Sequence, residues 1–143
     1  MWIERVVEAA AVTAGADLFD TPPQDAPTAH FLASPGHHLL FAYDNAPSGE
    51  GAEVIGMVSG VETTHPDKGT EMFLYELGVA PAAQRNGVGT ALVQALAALA
   101  EERGCYGMWV AIDPDNVAAR QTYRRAGAQE ETPCLMLSWE LST

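Results

Sequence analysis

Positive charge is what this sequence has least of: Lys and Arg number seven against 19 Asp and Glu, giving a formal net charge of −12 and a pI near 4.4. A phosphate backbone would be repelled by such a surface and no basic stripe relieves it, so a nucleic-acid partner is excluded. Cysteine is scarce as well. Cys105 and Cys134 do not form a metal-ligand pattern, and without a secretory segment they predict reduced thiols, not a disulfide framework. Long apolar runs are missing: no stretch of about 18 uncharged apolar residues occurs, and residues 1–12 lack a basic region followed by a long apolar core. These absences predict a soluble, cytoplasmic chain with no membrane partner and no metal. The four histidines, at 30, 37, 38 and 65, have no regular ligand spacing and are read as surface or core residues.

What is present suits one domain spanning residues 1–143, long enough for a real core and too short for two ordinary ones. The charge is divided unevenly along it. Up to Glu76 there are 12 acidic residues against Arg5 and Lys68, whereas from Leu77 onward seven acidic residues face five arginines. Residues 2–6 read as a short strand, 7–19 as an Ala-rich helix, and 25–33 as a second helix with Pro27 in its first turn. Residues 38–43, 53–63 and 72–79 read as three consecutive strands of an antiparallel meander, the first two joined by a hairpin tip over 45–51.

Val88, Leu92, Ala95, Leu96 and Leu99 recur at helical spacing up to Arg103, with Gly104 as the stop. Residues 106–112 follow as a buried strand, which the intervening helix allows to lie parallel to 72–79. A helix is expected over 116–126, with Asn116 as cap and Gly127 as terminator. Residues 134–141 are expected to close the sheet.

The stretch with most chemical meaning is Gln84, Arg85, Asn86, Gly87, Val88, Gly89, lying between a strand that ends at Val79 and a helix that begins at Val88. Glycines there let the backbone approach a ligand, and the first amides of a helix lack intrahelical acceptors and favour an anion. Arg85 adds a guanidinium able to fork onto phosphate oxygens.

With Leu77, Val79 and Pro81 before it, Gln84-x-x-Gly87-x-Gly89 resembles the acetyl-CoA signature of the GCN5-related N-acetyltransferases. Asn116, Ala119, Tyr123 and Gly127 resemble the second cofactor motif of that family, in order and at a fitting distance. The resemblance is clear over about residues 71–127. It implies an α/β (α+β) fold with a mixed, mostly antiparallel sheet of about six to seven strands, flanked by about four helices and splayed between its central parallel strands. It also implies that the backbone of Leu77, Gly78 and Val79 holds the pantetheine arm. The amides of Arg85, Asn86, Gly87, Val88, Gly89 and Thr90 would hold the pyrophosphate, with Gln84 and Asn116 as further cofactor contacts.

The string Tyr75, Glu76, Leu77, Gly78, Val79 is similar to one in the type I aminoglycoside 3-N-acetyltransferases, with Glu where that group has Asp; Glu130 and Glu131 before the last strand are similar too. The resemblance implies Glu76 as base for the acceptor amine and Tyr123 as acid for the departing thiolate, in direct transfer through a ternary complex. The acceptor implied is a small polycation such as an aminoglycoside, with a peptide or protein amine (an N-terminus or a lysine) as the alternative. A silent acyl-CoA sensor is the reading from another class. Asp113 and Asp115 read as a solvated turn, with the path of a cationic substrate as the alternative, and a homodimer paired through the last strand is compatible with the family.

Overall fold

The computed structural model describes residues 1–46, 52–131 and 133–142. Strands β1 (Trp2–Arg5), β2 (His37–Tyr43), β3 (Val54–His65), β4 (Gly69–Val79) and β5 (Met108–Trp109) form one sheet in chain order, antiparallel except for the parallel β4–β5 pair. The helices are α1 (Ala9–Ala14), α2 (Asp25–Ala33), α3 (Val88–Glu102) and α4 (Val117–Arg125).

Strand alternation sorts the side chains onto two faces. Leu40, Ala42, Val58, Met72 and Leu74 meet Val88, Leu92, Leu96 and Ala100 of α3 and Tyr123 of α4. On the other face Leu39, Phe41 and Met57 pack with Val6 and with Val12 of α1. The apolar stripe on α3 explains its place, since each buried Leu or Val removed from water contributes on the order of 1.5–3 kcal/mol.

The meander, α2, α3 and α4 stand where the sequence places them. The first helix is shorter than expected: after Ala14 the chain turns at Gly15 and continues as a 3₁₀ turn over Ala16–Leu18. The hairpin tip expected over 45–51 lies in part outside the described residues. Two expectations are corrected. The strand read over 106–112 pairs with β4 at only two positions, Met72 with Met108 and Phe73 with Trp109. Residues 134–141 do not close the sheet; they belong to no strand, which leaves five strands among the described residues rather than six or seven. Their alternating pattern is strand-like, but a strand exists only where a neighbour accepts its hydrogen bonds.

One polar group is buried in full. His38 is 0% exposed and its Nε2 lies 2.6 Å from Oε2 of Glu62, to which Arg103 Nε also donates at 2.8 Å. Its Nδ1 has no partner among the described residues. Burial holds the imidazole below its ordinary 6.5 in spite of the Glu62 hydrogen bond, so Nε2 carries the proton and donates. Partial burial pushes the Glu62 carboxyl up, but the His38 and Arg103 hydrogen bonds outweigh it and hold the group below its ordinary 4.5.

Both shifts act in the same direction on acidification. An unfolded chain takes up a proton at His38 below about pH 6.5 and at Glu62 below about pH 4.5, where the folded chain resists both. The stability they confer is complete above about pH 6.5 and is lost as pH falls through that window. Urea titrations should show unfolding free energy dropping between pH 7 and 5, and His38→Gln should flatten that upper segment; an unchanged slope in the variant contradicts the assignment.

Candidate active site

The sheet opens where β4 and β5 part. Past Phe73 and Trp109 the two strands no longer pair, so the edge of β4 from Leu74 to Val79 is free of a β5 neighbour. This is the gap expected for an arm that enters like an added strand.

Glu76 lies on this unpaired stretch of β4, and an irregularity sets the face on which it stands. The β3–β4 register shifts between Ser59 and Gly60: Ser59 faces Glu76 and Gly60 faces Leu74, leaving Tyr75 as the extra residue. Uninterrupted alternation would put residue 76 on the α3 face together with Leu74. The bulge re-aims it to the α1 face, with Met57 and Ser59. There the half-buried carboxylate accepts the backbone N–H of Asp20 at Oε2, 2.8 Å away. No salt bridge neutralises it among the described residues.

Gly78 makes that contact possible. A Cβ on Gly78 would stand 2.5 Å from the carbonyl oxygen of Leu18, so only glycine lets the chain after α1 cross this closely over β4 and bring Asp20 to Glu76. Neither Asp20 nor the bulge at Tyr75 is legible in the sequence, because one depends on a contact 56 residues away and the other on register.

On the other face Tyr123 is 8% exposed, seated among the side chains under α3, and desolvation raises its phenol above the ordinary 10. It is therefore a proton donor throughout the neutral range. Glu76 and Tyr123 thus lie on opposite faces of the sheet.

The turn before α3 has the geometry of an anion cradle. Arg85 (φ 67) and Gly87 (φ 80) are both left-handed, on either side of Asn86. Among the described residues the amides of 85–90 have no acceptor; the α3 ladder starts with Ala91 N–H donating to Gly87. Gln84, Arg85, Asn86 and Gly87 are exposed, Val88 is buried, and Gly89 and Thr90 are half-buried. Arg85 makes no salt bridge among the described residues. Gln84 Nε2 donates to the Val79 carbonyl at 3.3 Å, tying the turn to the end of β4.

A Cβ on Gly89 would lie 3.2 Å from Thr122 Cγ2, 3.6 Å from Val79 and 3.9 Å from Leu77, so the end of β4, the start of α3 and α4 converge here. Thr122, a neighbour that sequence reasoning missed, enters through this approach. Asn116 caps α4, its Oδ1 accepting the Ala119 N–H at 3.1 Å. Asp113 and Asp115 form the turn before it, Asp113 Oδ1 accepting the Asp115 N–H. Burial pushes the Cys105 thiol up, away from a reactive thiolate.

The family model described as the acetyltransferase (GNAT) family matches residues 5–128. Among curated proteins no match is found. Solved structures similar to this chain include an aminoglycoside acetyltransferase, meta-AAC0020, from an uncultured soil metagenomic sample, in complex with trehalose (TM-score 0.82, 18% identity, 99% of this chain and 96% of that one). Another is the aminoglycoside 6'-N-acetyltransferase AAC(6')-IG from Acinetobacter haemolyticus (0.76, 21%, 99% and 100%). A third is the aminoglycoside N-acetyltransferase AAC(6')-Iy in complex with CoA (0.78, 17%, 97% and 99%). At these identities they show a shared fold. Among the described residues no helix is long and apolar enough to cross a membrane.

The crossing at Gly78 yields a direct test. Gly78→Ala meets a backbone oxygen that cannot rotate away, so it should lower stability by about 1–3 kcal/mol in urea titrations and loosen the segment over Glu76. An unchanged midpoint would show that the crossing tolerates a side chain.

Proposed function

The chain belongs to the acetyltransferase (GNAT) family, and on that premise we propose that it is an acetyl-CoA-dependent N-acetyltransferase acting on a cationic primary amine by direct transfer in a ternary complex. The single observation that carries this reading is the unpaired edge of β4 from Leu74 to Val79, followed by a turn whose amides at 85–90 have no acceptor among the described residues. These residues fit the cofactor. The amides of 85–90 and the Arg85 guanidinium suit a pyrophosphate, and the free β4 edge at Leu77, Gly78 and Val79 suits the amide groups of a pantetheine arm. When bound, the coenzyme supplies an activated acetyl thioester.

The residues of the chain handle the protons. An acceptor ammonium must lose one before its nitrogen is nucleophilic, and Glu76, with one oxygen engaged by Asp20 and the other without a protein partner among the described residues, takes it directly or through water. Tyr123 holds the proton that the departing sulfur takes up. No thiol is required as a nucleophile, since Cys105, packed near the core, is held as the thiol.

Charge supports a polycationic acceptor. The segment crossing the Glu76 face carries Asp17, Asp20 and Asp25, and no Lys or Arg occurs between Arg5 and Lys68. An aminoglycoside or another small polyamine fits this field better than a neutral peptide. The partners in this reading are that amine and, in a homodimer, a second copy of the chain; the place of action is the cytoplasm.

Free-thiol release from acetyl-CoA against a panel of aminoglycosides, polyamines and peptides should show turnover with the polycations. Glu76→Gln should lower kcat by roughly 10²-fold or more, with a smaller effect for Tyr123→Phe because water can replace the phenol. Turnover with peptides alone moves the acceptor assignment, and tight cofactor binding without turnover favours a sensor.

The turn itself predicts a trade. Arg85→Gly removes a left-handed non-glycine residue, a conformation costing roughly 1 kcal/mol, while deleting a phosphate contact. Stability should rise slightly or hold while the dissociation constant for coenzyme A, read by calorimetry, increases about tenfold. Unchanged affinity would remove Arg85 from the site.

A further inference from the structure

The face of the sheet opposite α3 is only partly covered. The α1 and α2 side closes it over Leu39, Phe41 and Met57, and Phe31 of α2 reaches His37, their ring centroids 5.4 Å apart. From His37 a row continues in register across the strands through Val61 of β3, Phe73 of β4 and Trp109 of β5. Met72 and Leu74 belong to the α3 core, so alternation sets Glu71 and Phe73 on this other face.

Phe73 is the half-buried base of an aromatic group. Trp109 lies over it, with ring centroids 4.4 Å apart and planes inclined by 32°, and Tyr75 meets it edge-on at 5.8 Å and 88°. The two outer rings are open: Trp109 is 47% exposed and Tyr75 70%. Because one face of the indole rests on Phe73, the face left for a ligand is the opposite one. None of the three rings packs against either core cluster, yet each is held by a neighbour. Rings ordered in advance lose little side-chain freedom on binding.

This group borders the site. Phe73 and Trp109 are the last paired residues before β4 and β5 part, and Tyr75 is the bulged residue directly before Glu76. A carboxylate stands at each end of it. Glu71 is half-buried; its Oε2 accepts the Tyr106 hydroxyl at 3.0 Å and its other oxygen has no protein partner among the described residues. In β3 the residues facing Glu71 and Glu76 are Thr63 and Ser59, so the rise of a strand sets the two carboxylates roughly 13 Å apart. No Lys or Arg occurs in β3, β4 or β5 to neutralise them.

We propose that Trp109, Tyr75 and Glu71 form an acceptor subsite for an amine-bearing molecule of several linked saturated rings, whose rings lie on the two aromatic side chains while one ammonium pairs with Glu71. The placing of the reacting amine at the other end, by Glu76, rests on the acetyl-transfer reading above. An aromatic face attracts both apolar C–H groups and cations, so a ring carrying ammonium groups matches it twice. The separation of the carboxylates suits several linked rings and not a single one. A linear polyamine can meet both carboxylates but has no ring to stack. The subsite therefore sets a preference within the polycations, for ringed over linear acceptors.

Calorimetry with coenzyme A present tests it, using kanamycin as the ringed polycation and spermine as the linear one. Trp109→Ala and Tyr75→Ser should each raise the dissociation constant for kanamycin about tenfold and leave that for spermine within about twofold. Trp109→Phe, which keeps an aromatic face, should restore most of the loss. Glu71→Gln should weaken both ligands and flatten the salt dependence of binding. Tyr75→Ser decides the matter if Trp109→Ala impairs folding, since the Tyr75 side chain stands mostly in solvent. Kanamycin affinity unchanged in the aromatic variants overturns the proposal, as do an equal loss for spermine and a wild-type chain that does not bind kanamycin. Binding is read here without turnover: kanamycin held through Trp109 and Tyr75 but not acetylated would sink the acetyl-transfer reading and leave the ring subsite standing.

Discussion

The parting of β4 from β5 after only two paired positions is the constraint on which the rest of this molecule depends. Backbone groups on a sheet edge require acceptors and donors, and a chain that leaves those of Leu74 to Val79 unmatched on one side holds a slot for something that supplies them. The sheet remains sound because the loss is confined to one edge: β2, β3 and β4 are paired along their lengths with a single register shift in each ladder, and α3 bears on Val58, Met72 and Leu74. A gap lined by firm walls is what an extended ligand needs, since the ordering cost is then met in folding and not in binding.

Two departures from regular geometry shape the backbone beside that slot. The bulge at Tyr75 turns Glu76 from the helix-packed face to the opposite one, and the bare backbone of Gly78 admits the segment that holds the carboxylate through Asp20. The left-handed Arg85 is a third departure, one that costs stability in the free chain. Irregularities of this kind persist where surrounding structure over-determines them, and here all three lie around a single opening. The buried His38–Glu62–Arg103 group shows the contrasting case, a polar cluster on the sheet away from the opening whose consequence is for stability.

Electrostatics divides the labour between the two sides. Five of the seven basic residues follow β4 in the chain while 12 of the 19 acidic ones lie at or before Glu76, a division that suits the proposed pairing of an anionic cofactor with a cationic acceptor. Arg120 and Arg124 do not contribute to the phosphate side, because Glu130 engages both. Arg85, at the turn itself, makes no salt bridge among the described residues.

Much of this molecule is legible in its sequence, for a physical reason: helices, turns and their caps are local. The stripe on α3, the cap at Asn116, the stops at Gly104 and Gly127 and the turn from Gln84 to Gly89 depend on residues a few positions apart, and each stands where the spacing puts it. Residue type and resemblance single out Glu76 and Tyr123 as candidates. Their arrival from opposite faces was decided by register, since a one-residue shift between Ser59 and Gly60 inverts the side on which a carboxylate stands. The same holds for the segment 134–141. Its alternation is strand-like by itself, but a strand needs a neighbour to accept its hydrogen bonds, and none does so among the described residues, so tertiary geometry and not local pattern decides its state.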